Sequence, residues 1–220
     1  MTPPELGCPA DGEPAGADPY VNPATGVLRN RLGLTDPDRL EDAEADFSAV
    51  RLAGLGRRSL PGNYDLAHLQ RFHERIFGDV YPWAGALRTV VISKGGTFCL
   101  PQHLETFAVE VFGRLAATDR LRGRDRDRFV DGLTELLADL NALHPFREGN
   151  GRAQRAFCTQ LARDAGHQLR WAAMDPAENV EASRASLAGD NAPLRATLER
   201  LVDRPDATAT APQPRRPTET

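Results

Sequence analysis

The sequence predicts an all-α domain, a helical bundle carrying one small β-hairpin. Three observations point there. Apolar residues recur at helical spacing through most of the chain, helix-capping residues precede those stretches, and one β-branched run, Leu87-Arg-Thr-Val-Val-Ile92, stands apart from them. A length of 220 residues suits one good-sized domain with loose ends.

Residues 1–18 are rich in Pro, Gly and Ala, with almost no large apolar side chain, and read as a disordered tail. Tyr20 to Leu28 mixes turn formers with apolar anchors, which suggests an ordered arm. Thr35-Asp-Pro-Asp offers a cap with Pro37 at the first helical position. A first helix to about Leu55 is expected to bury Leu40, Ala43, Phe47, Val50 and Leu55. A second helix, Asp65 to Phe77, gathers Leu66, Leu69, Phe72, Ile76 and Phe77 on one side. His68 and His73 lie five apart on it, a spacing that does not suit a shared metal, so core edge or surface is their reading.

Leu87–Ile92, a Ser93-Lys-Gly-Gly96 turn and Thr97–Leu100 make a hairpin. Such a hairpin is marginal alone and must lean on helices. The residues by themselves leave open whether it is a backbone edge for a partner segment or a plain connector. Pro101 to Thr118 is a third helix, ended by the charged stretch 119–127. Arg126 to Leu143 is a long helix whose Phe129, Leu133, Leu136, Leu137, Leu140 and Leu143 mark it as central and well buried. A helix with Ala156, Phe157, Leu161 and Ala162 ends by Gly166, and His167 to Trp171 is extended. Asp175-Pro-Ala-Glu starts a helix to about Leu187, and Pro193 to about Val202 forms the last. One domain, 19–203, is thus bracketed by tails 1–18 and 204–220.

The composition, 40% hydrophobic and 26% charged, is ordinary for a globular chain. A net charge of -4 disfavours nucleic acid as a bulk partner, and the basic run Arg120 to Arg128 alternates with aspartates like a solvated surface. No apolar run approaches the roughly 18 residues that span a membrane, and no secretory pattern opens the chain. Cys8, Cys99 and Cys158 have neither zinc nor disulfide spacing, so a reducing cytoplasm is the expected setting.

One stretch carries the chemistry: His144-Pro-Phe-Arg-Glu-Gly-Asn-Gly-Arg-Ala-Gln-Arg155. Gly-Asn-Gly before helix formers reads as a tight turn into a helix N-terminus, where main-chain N–H groups lack partners and favour an anion. Arg152 and Arg155, three apart, project from one face. Together these features point to a nucleotide phosphate. Glu148 would repel that anion unless a cation bridges them, which suggests Mg²⁺. His144 is the base candidate, since histidine titrates near neutral pH, and Pro145 disfavours helix at His144. Phe146 reads as a core plug anchoring the loop, and Cys158 as a small core residue.

At every defined position the stretch resembles the signature of Fic-domain proteins, His-x-Phe-x-(Asp/Glu)-Gly-Asn-Gly-Arg-x-x-Arg. The resemblance extends over roughly residues 20 to 200, because Tyr81-Pro-Trp-Ala-Gly85 and Ile92-Ser-Lys-Gly95 look like that family's flap hairpin. It implies a Fic fold with the flap over the active site, where a target protein's extended segment docks along Ile92, Ser93, Lys94 and Gly95. It implies transfer of AMP from ATP to a Ser, Thr or Tyr hydroxyl, with His144 as base and Glu148 holding Mg²⁺. Gly149, Asn150, Gly151, Arg152 and Arg155 would bind the nucleotide, the amide of Asn150 included.

The related Doc kinases carry another residue where this chain has Gly149 or Gly151, so nucleotidyl transfer is favoured over their phosphate transfer. Transfer of UMP, GMP or phosphocholine, as in some relatives, and a non-catalytic scaffold are the other readings. Many Fic proteins carry an inhibitory helix, (Ser/Thr)-x-x-x-Glu-(Gly/Asn). The nearest approach here, Thr106 to Glu110, is followed by Val111, so a separate antitoxin supplying that helix is expected, as in toxin–antitoxin pairs.

Overall fold

The computed structural model describes residues 18–93 and 98–203. They form seven α-helices: α1 (Pro37–Arg57), α2 (Leu66–Phe77), α3 (Leu104–Ala117), α4 (Arg126–Leu143), α5 (Asn150–Asp164), α6 (Pro176–Leu187) and α7 (Ala192–Leu201). Short 3₁₀ turns precede α3 and connect α3 to α4 and α5 to α6. Four helices start where an aspartate side chain accepts a bond from an orphan N–H: Asp36, Asp65, Asp125 and Asp175. Each such cap stabilises by about 1 kcal/mol.

The core centres on α4, which packs against α3, α5, α6 and α7 and buries Phe129, Val130, Leu133, Leu140 and Leu143 completely. Its bounds match the sequence expectation residue for residue. The arm is ordered through an antiparallel bridge between Val21 and Leu28, with Tyr20 and Val27 buried. Asp18, assigned to the tail, instead pairs with Arg147 at 2.9 Å. The remaining tail residues, including Cys8, lie outside the described residues. Arg120, Arg122, Arg126 and Arg128 pair with neighbouring aspartates near the surface. Among the described residues no helix is long and apolar enough to cross a membrane.

Two expectations change. The first helix turns a different face inward: α1 buries Leu40, Glu44 and Ser48, while Phe47 and Val50 stand exposed. Polar side chains face inward because an arginine of α5 and a buried tyrosine hydroxyl wait there (below). The second concerns the hairpin. Residues 87–92 and 98–100 carry no strand, and the turn between them, including Lys94 and Gly95, lies outside the described residues. The described legs bond to the end of α4 and the turn after it: Arg88 N–H donates to Pro145 O at 2.9 Å, and Cys99 N–H to Ala142 O at 2.8 Å.

Candidate active site

The site is the turn from α4 into α5. His144 ends α4 in the left-handed region, φ 41°, its N–H still bonded to Leu140 O at 3.0 Å. Few non-glycine residues adopt that conformation, and Pro145 blocks the helical alternative. The imidazole lies flat on Phe98, centroids 3.8 Å apart and planes 13° from parallel. Phe146 is fully buried, as expected of a plug, and stacks on the ring of His73 at 3.9 Å.

The Asn150 side chain departs from its expected role. Its Oδ1 accepts from Phe146 N–H at 2.9 Å and its Nδ2 donates to Phe146 O at 2.7 Å, closing the loop with both ends of one amide. That leaves its main-chain N–H, in the first turn of α5, whose opening N–H groups have no intrahelical acceptor. Gly149 caps α5 with φ 79°, and a Cβ there would stand 2.4 Å from the Phe77 ring. Glycine is thus required at 149 by the protein's own packing. At Gly151 a Cβ would approach Arg155 Nη1 at 3.1 Å and crowd the guanidinium.

The two arginines are held differently. Arg152 donates to Glu44 of α1 through Nη2 and to Ser48 Oγ at 3.1 Å through Nη1, and its guanidinium lies 4.7 Å over the Phe77 ring. Glu44 also accepts from the Tyr81 hydroxyl, whose pKa burial and the carboxylate push well above its ordinary value. Arg155 has no carboxylate partner among the described residues, and burial, then the Arg152 charge, lower its pKa. It borders two cavities. One, about 230 Å³, is lined by His144, Gly151, Arg155, Phe98 and residues of α6 including Asn179 and Ser183. The other, about 260 Å³, lies between α1 and α5 and is lined by Leu52, Leu55, Phe72, Arg152, Arg155 and Arg163.

Glu148 precedes the α5 N-terminus, its Oε1 accepting from Gly149 N–H at 2.9 Å. Among the described residues no cluster of three His, Cys, Asp or Glu side chains could enclose a metal. One carboxylate fits Mg²⁺ nonetheless, because that ion takes one or two protein carboxylates and completes its shell with phosphate oxygens and water. Ile92 is half-buried and Ser93 exposed on the leg beside the site.

Three contributors were missed or misjudged in the sequence. His73 is fully buried: its Nδ1 accepts from Gly85 N–H at 2.8 Å, so its Nε2 carries the proton and donates to Glu148 O at 2.8 Å. Burial lowers its pKa to about 4. Glu44 orders Arg152 from α1. Arg88, only 2% exposed, donates to His144 O at 2.8 Å. A signal for Arg88 existed: period-two alternation places it on the inward row with Val90 and Ile92.

Comparison with known proteins adds to this geometry. Residues 63–162 match the Fic/DOC family. The chain is 42% identical over 184 residues to the protein adenylyltransferase VbhT of Bartonella schoenbuchensis, spanning 83% of this chain but only 38% of that protein. It is 40% identical over 188 residues to the probable protein adenylyltransferase y4lH of Sinorhizobium fredii, spanning 84% of this chain and 96% of that one. Among solved structures, the N-terminal Fic domain of a Bartonella quintana Bep effector with bound ADP superposes with a TM-score of 0.80 at 24% identity, over 86% of this chain and 96% of that one. BepC of Bartonella tribocorum with bound AMPPNP gives 0.78 at 22% identity, over 84% and 96%. At those identities the superpositions speak for the fold.

Proposed function

This chain belongs to the Fic/DOC family, and from that premise we propose that it is a protein adenylyltransferase, moving AMP from ATP to a Ser, Thr or Tyr hydroxyl of a target protein. One observation carries the reading: His144, Gly151 and Arg155 line a single cavity at the N-terminus of α5. His144 takes the proton of the target hydroxyl as its oxygen attacks the α-phosphorus. The bond to the bridging oxygen breaks and pyrophosphate leaves. N–H groups of the first turn of α5 stabilise negative charge on the phosphate oxygens from fixed positions. Arg152 and Arg155 hold the leaving phosphates. Glu148 would hold Mg²⁺, which supplies charge neutralisation on the pyrophosphate when bound. The target docks as an extended segment along the leg that ends at Ile92 and Ser93.

Incubation with α-labelled ATP and a cell lysate tests this. The wild type labels a protein band, whereas His144→Ala binds ATP with unaltered affinity and loses transfer by about 10²-fold or more. Label arriving from γ-labelled ATP instead would replace AMP transfer by phosphate transfer.

A regulatory reading is supported by the second cavity. Leu52, Leu55 and Phe72 supply an apolar wall and Arg152, Arg155 and Arg163 a basic rim, which suits an apolar helix presenting one carboxylate to Arg155. We infer a separate antitoxin helix there, making this chain the toxin of a pair. Expression alone should arrest growth, and His144→Ala should relieve the arrest. A chain that is harmless alone yet active on ATP would sink this reading.

A further inference from the structure

Arg88 contacts none of the phosphate-binding residues, yet it is the largest of the fully buried side chains. Its Nε donates to His144 O at 2.8 Å, its Nη1 to Val90 O at 2.8 Å, and its Nη2 to Cys99 O and, at 3.5 Å, to Leu143 O. Its own N–H donates to Pro145 O. Among the described residues no carboxylate pairs with it, so four main-chain carbonyls alone stabilise a buried positive charge. Burying a charge without a counter-ion is expensive, and an apolar side chain would fill the same space without that penalty.

The geometry of those carbonyls accounts for the arginine. Two belong to the end of α4 that delivers the base, and two belong to the legs 88–92 and 98–100. Phe98, the neighbour of Cys99, is the ring lying on the His144 imidazole. Arg88 therefore fixes His144 twice, through its own carbonyl and through the ring stacked on its face. It does so where the His144 backbone is held in a conformation that non-glycine residues rarely adopt.

We propose that Arg88 is a positioning residue for the transfer reaction: it orients the His144 imidazole and registers the target-docking leg against it. This rests on His144 being the base. The planar fork of guanidinium reaches several carbonyls at once, and a lysine ammonium, a single point of donors, does not. The effect should fall on the transfer step and spare nucleotide binding.

The test compares wild type with Arg88→Lys, Arg88→Gln, Phe98→Leu and His144→Ala. Three quantities are read: self-modification from α-labelled ATP, the ATP dissociation constant, and the NMR shift of the His144 Cε1 proton, which the Phe98 ring current displaces. Arg88→Lys should transfer about a hundredfold more slowly, as a misplaced base would, with ATP affinity kept within about twofold. Its Cε1 proton should move toward the position seen in Phe98→Leu. Transfer at the wild-type rate, a parallel loss of ATP affinity, an unmoved Cε1 proton, or failure of both Arg88 variants to fold would each overturn the proposal. If the wild type itself transfers nothing, the adenylyltransferase reading falls, and the Cε1 shift alone still decides whether Arg88 positions His144.

Discussion

Helices α4 and α1 reach the same loop from two sides and by opposite means. Over 18 residues α4 turns a row of leucines and Phe129 into the core and ends at His144. Over 21 residues α1 turns Glu44 and Ser48 inward, onto Arg152, and leaves Val50 71% exposed. Apolar periodicity identifies the buried face of a helix that meets hydrocarbon. It misleads for a helix that meets a charge, because an unpaired guanidinium and a buried tyrosine hydroxyl select polar side chains more strongly than an exposed Phe resists them. α4 is thus built for stability and α1 for the placement of Arg152.

That contrast is most exposed at Leu140, fully buried on α4. Leu140→Ala should destabilise the domain by about 2–5 kcal/mol in urea unfolding, while the remaining folded molecules bind ATP normally. The α1 counterpart Val50→Ala should leave the unfolding midpoint where it was. Equal losses at the two positions would erase the distinction.

His73 sharpens it on α2, another helix whose inward face carries polar groups. Its pKa is about 4 in the folded protein against an ordinary 6.5. Above pH 6.5 both states are neutral and stability is complete. As pH falls from 6.5 to 4 the unfolded chain takes up the proton first, so stability is lost, on the order of 3 kcal/mol in total. His68, also buried with a lowered pKa, adds in the same direction. Replacing His73 by Gln should reduce stability at pH 7 and flatten the slope between pH 6.5 and 4. An unchanged slope would show that His73 does not carry it.

Glu44→Ala probes the α1 side directly. Stability should fall by about 1–3 kcal/mol, since Arg152 and the Tyr81 hydroxyl lose their acceptor. ATP affinity should fall by about tenfold, the loss of one oriented phosphate contact. Tighter ATP binding in the variant would instead make Glu44 a competitor of the phosphate.

What could be read from the sequence follows the same division. His144 through Arg155 lie together at the α4–α5 turn because they are contiguous, and the four aspartate caps act within three residues of themselves. The α4 bounds needed only a cap and a leucine row. Glu44 and Arg152 are 108 residues apart, His73 and Glu148 75, Arg88 and His144 56. No local pattern announces which distant polar partner a side chain will meet. The Asn150 amide was misjudged for a different reason. Its partner, Phe146, is four residues away, but Phe146 itself stacks on the distant His73, which no local pattern announces.

Phe47 gives the smallest effect and the cleanest discrimination. The helical spacing of Leu40, Ala43, Phe47 and Val50 places it in a core, where truncating a phenylalanine costs about 3–5 kcal/mol. In the structure it is 40% exposed, and Glu44 and Ser48 hold the inward face. Phe47→Ser should therefore change stability by no more than about 0.5 kcal/mol, the range of ordinary surface substitutions. The same change at Phe129 on α4, which is fully buried, should come close to unfolding the domain. Urea titrations of the two variants side by side measure the difference between the helices in one experiment. If Phe47→Ser proved as damaging as Phe129→Ser, α1 would have to present its apolar row inward, and Glu44 could not then reach Arg152.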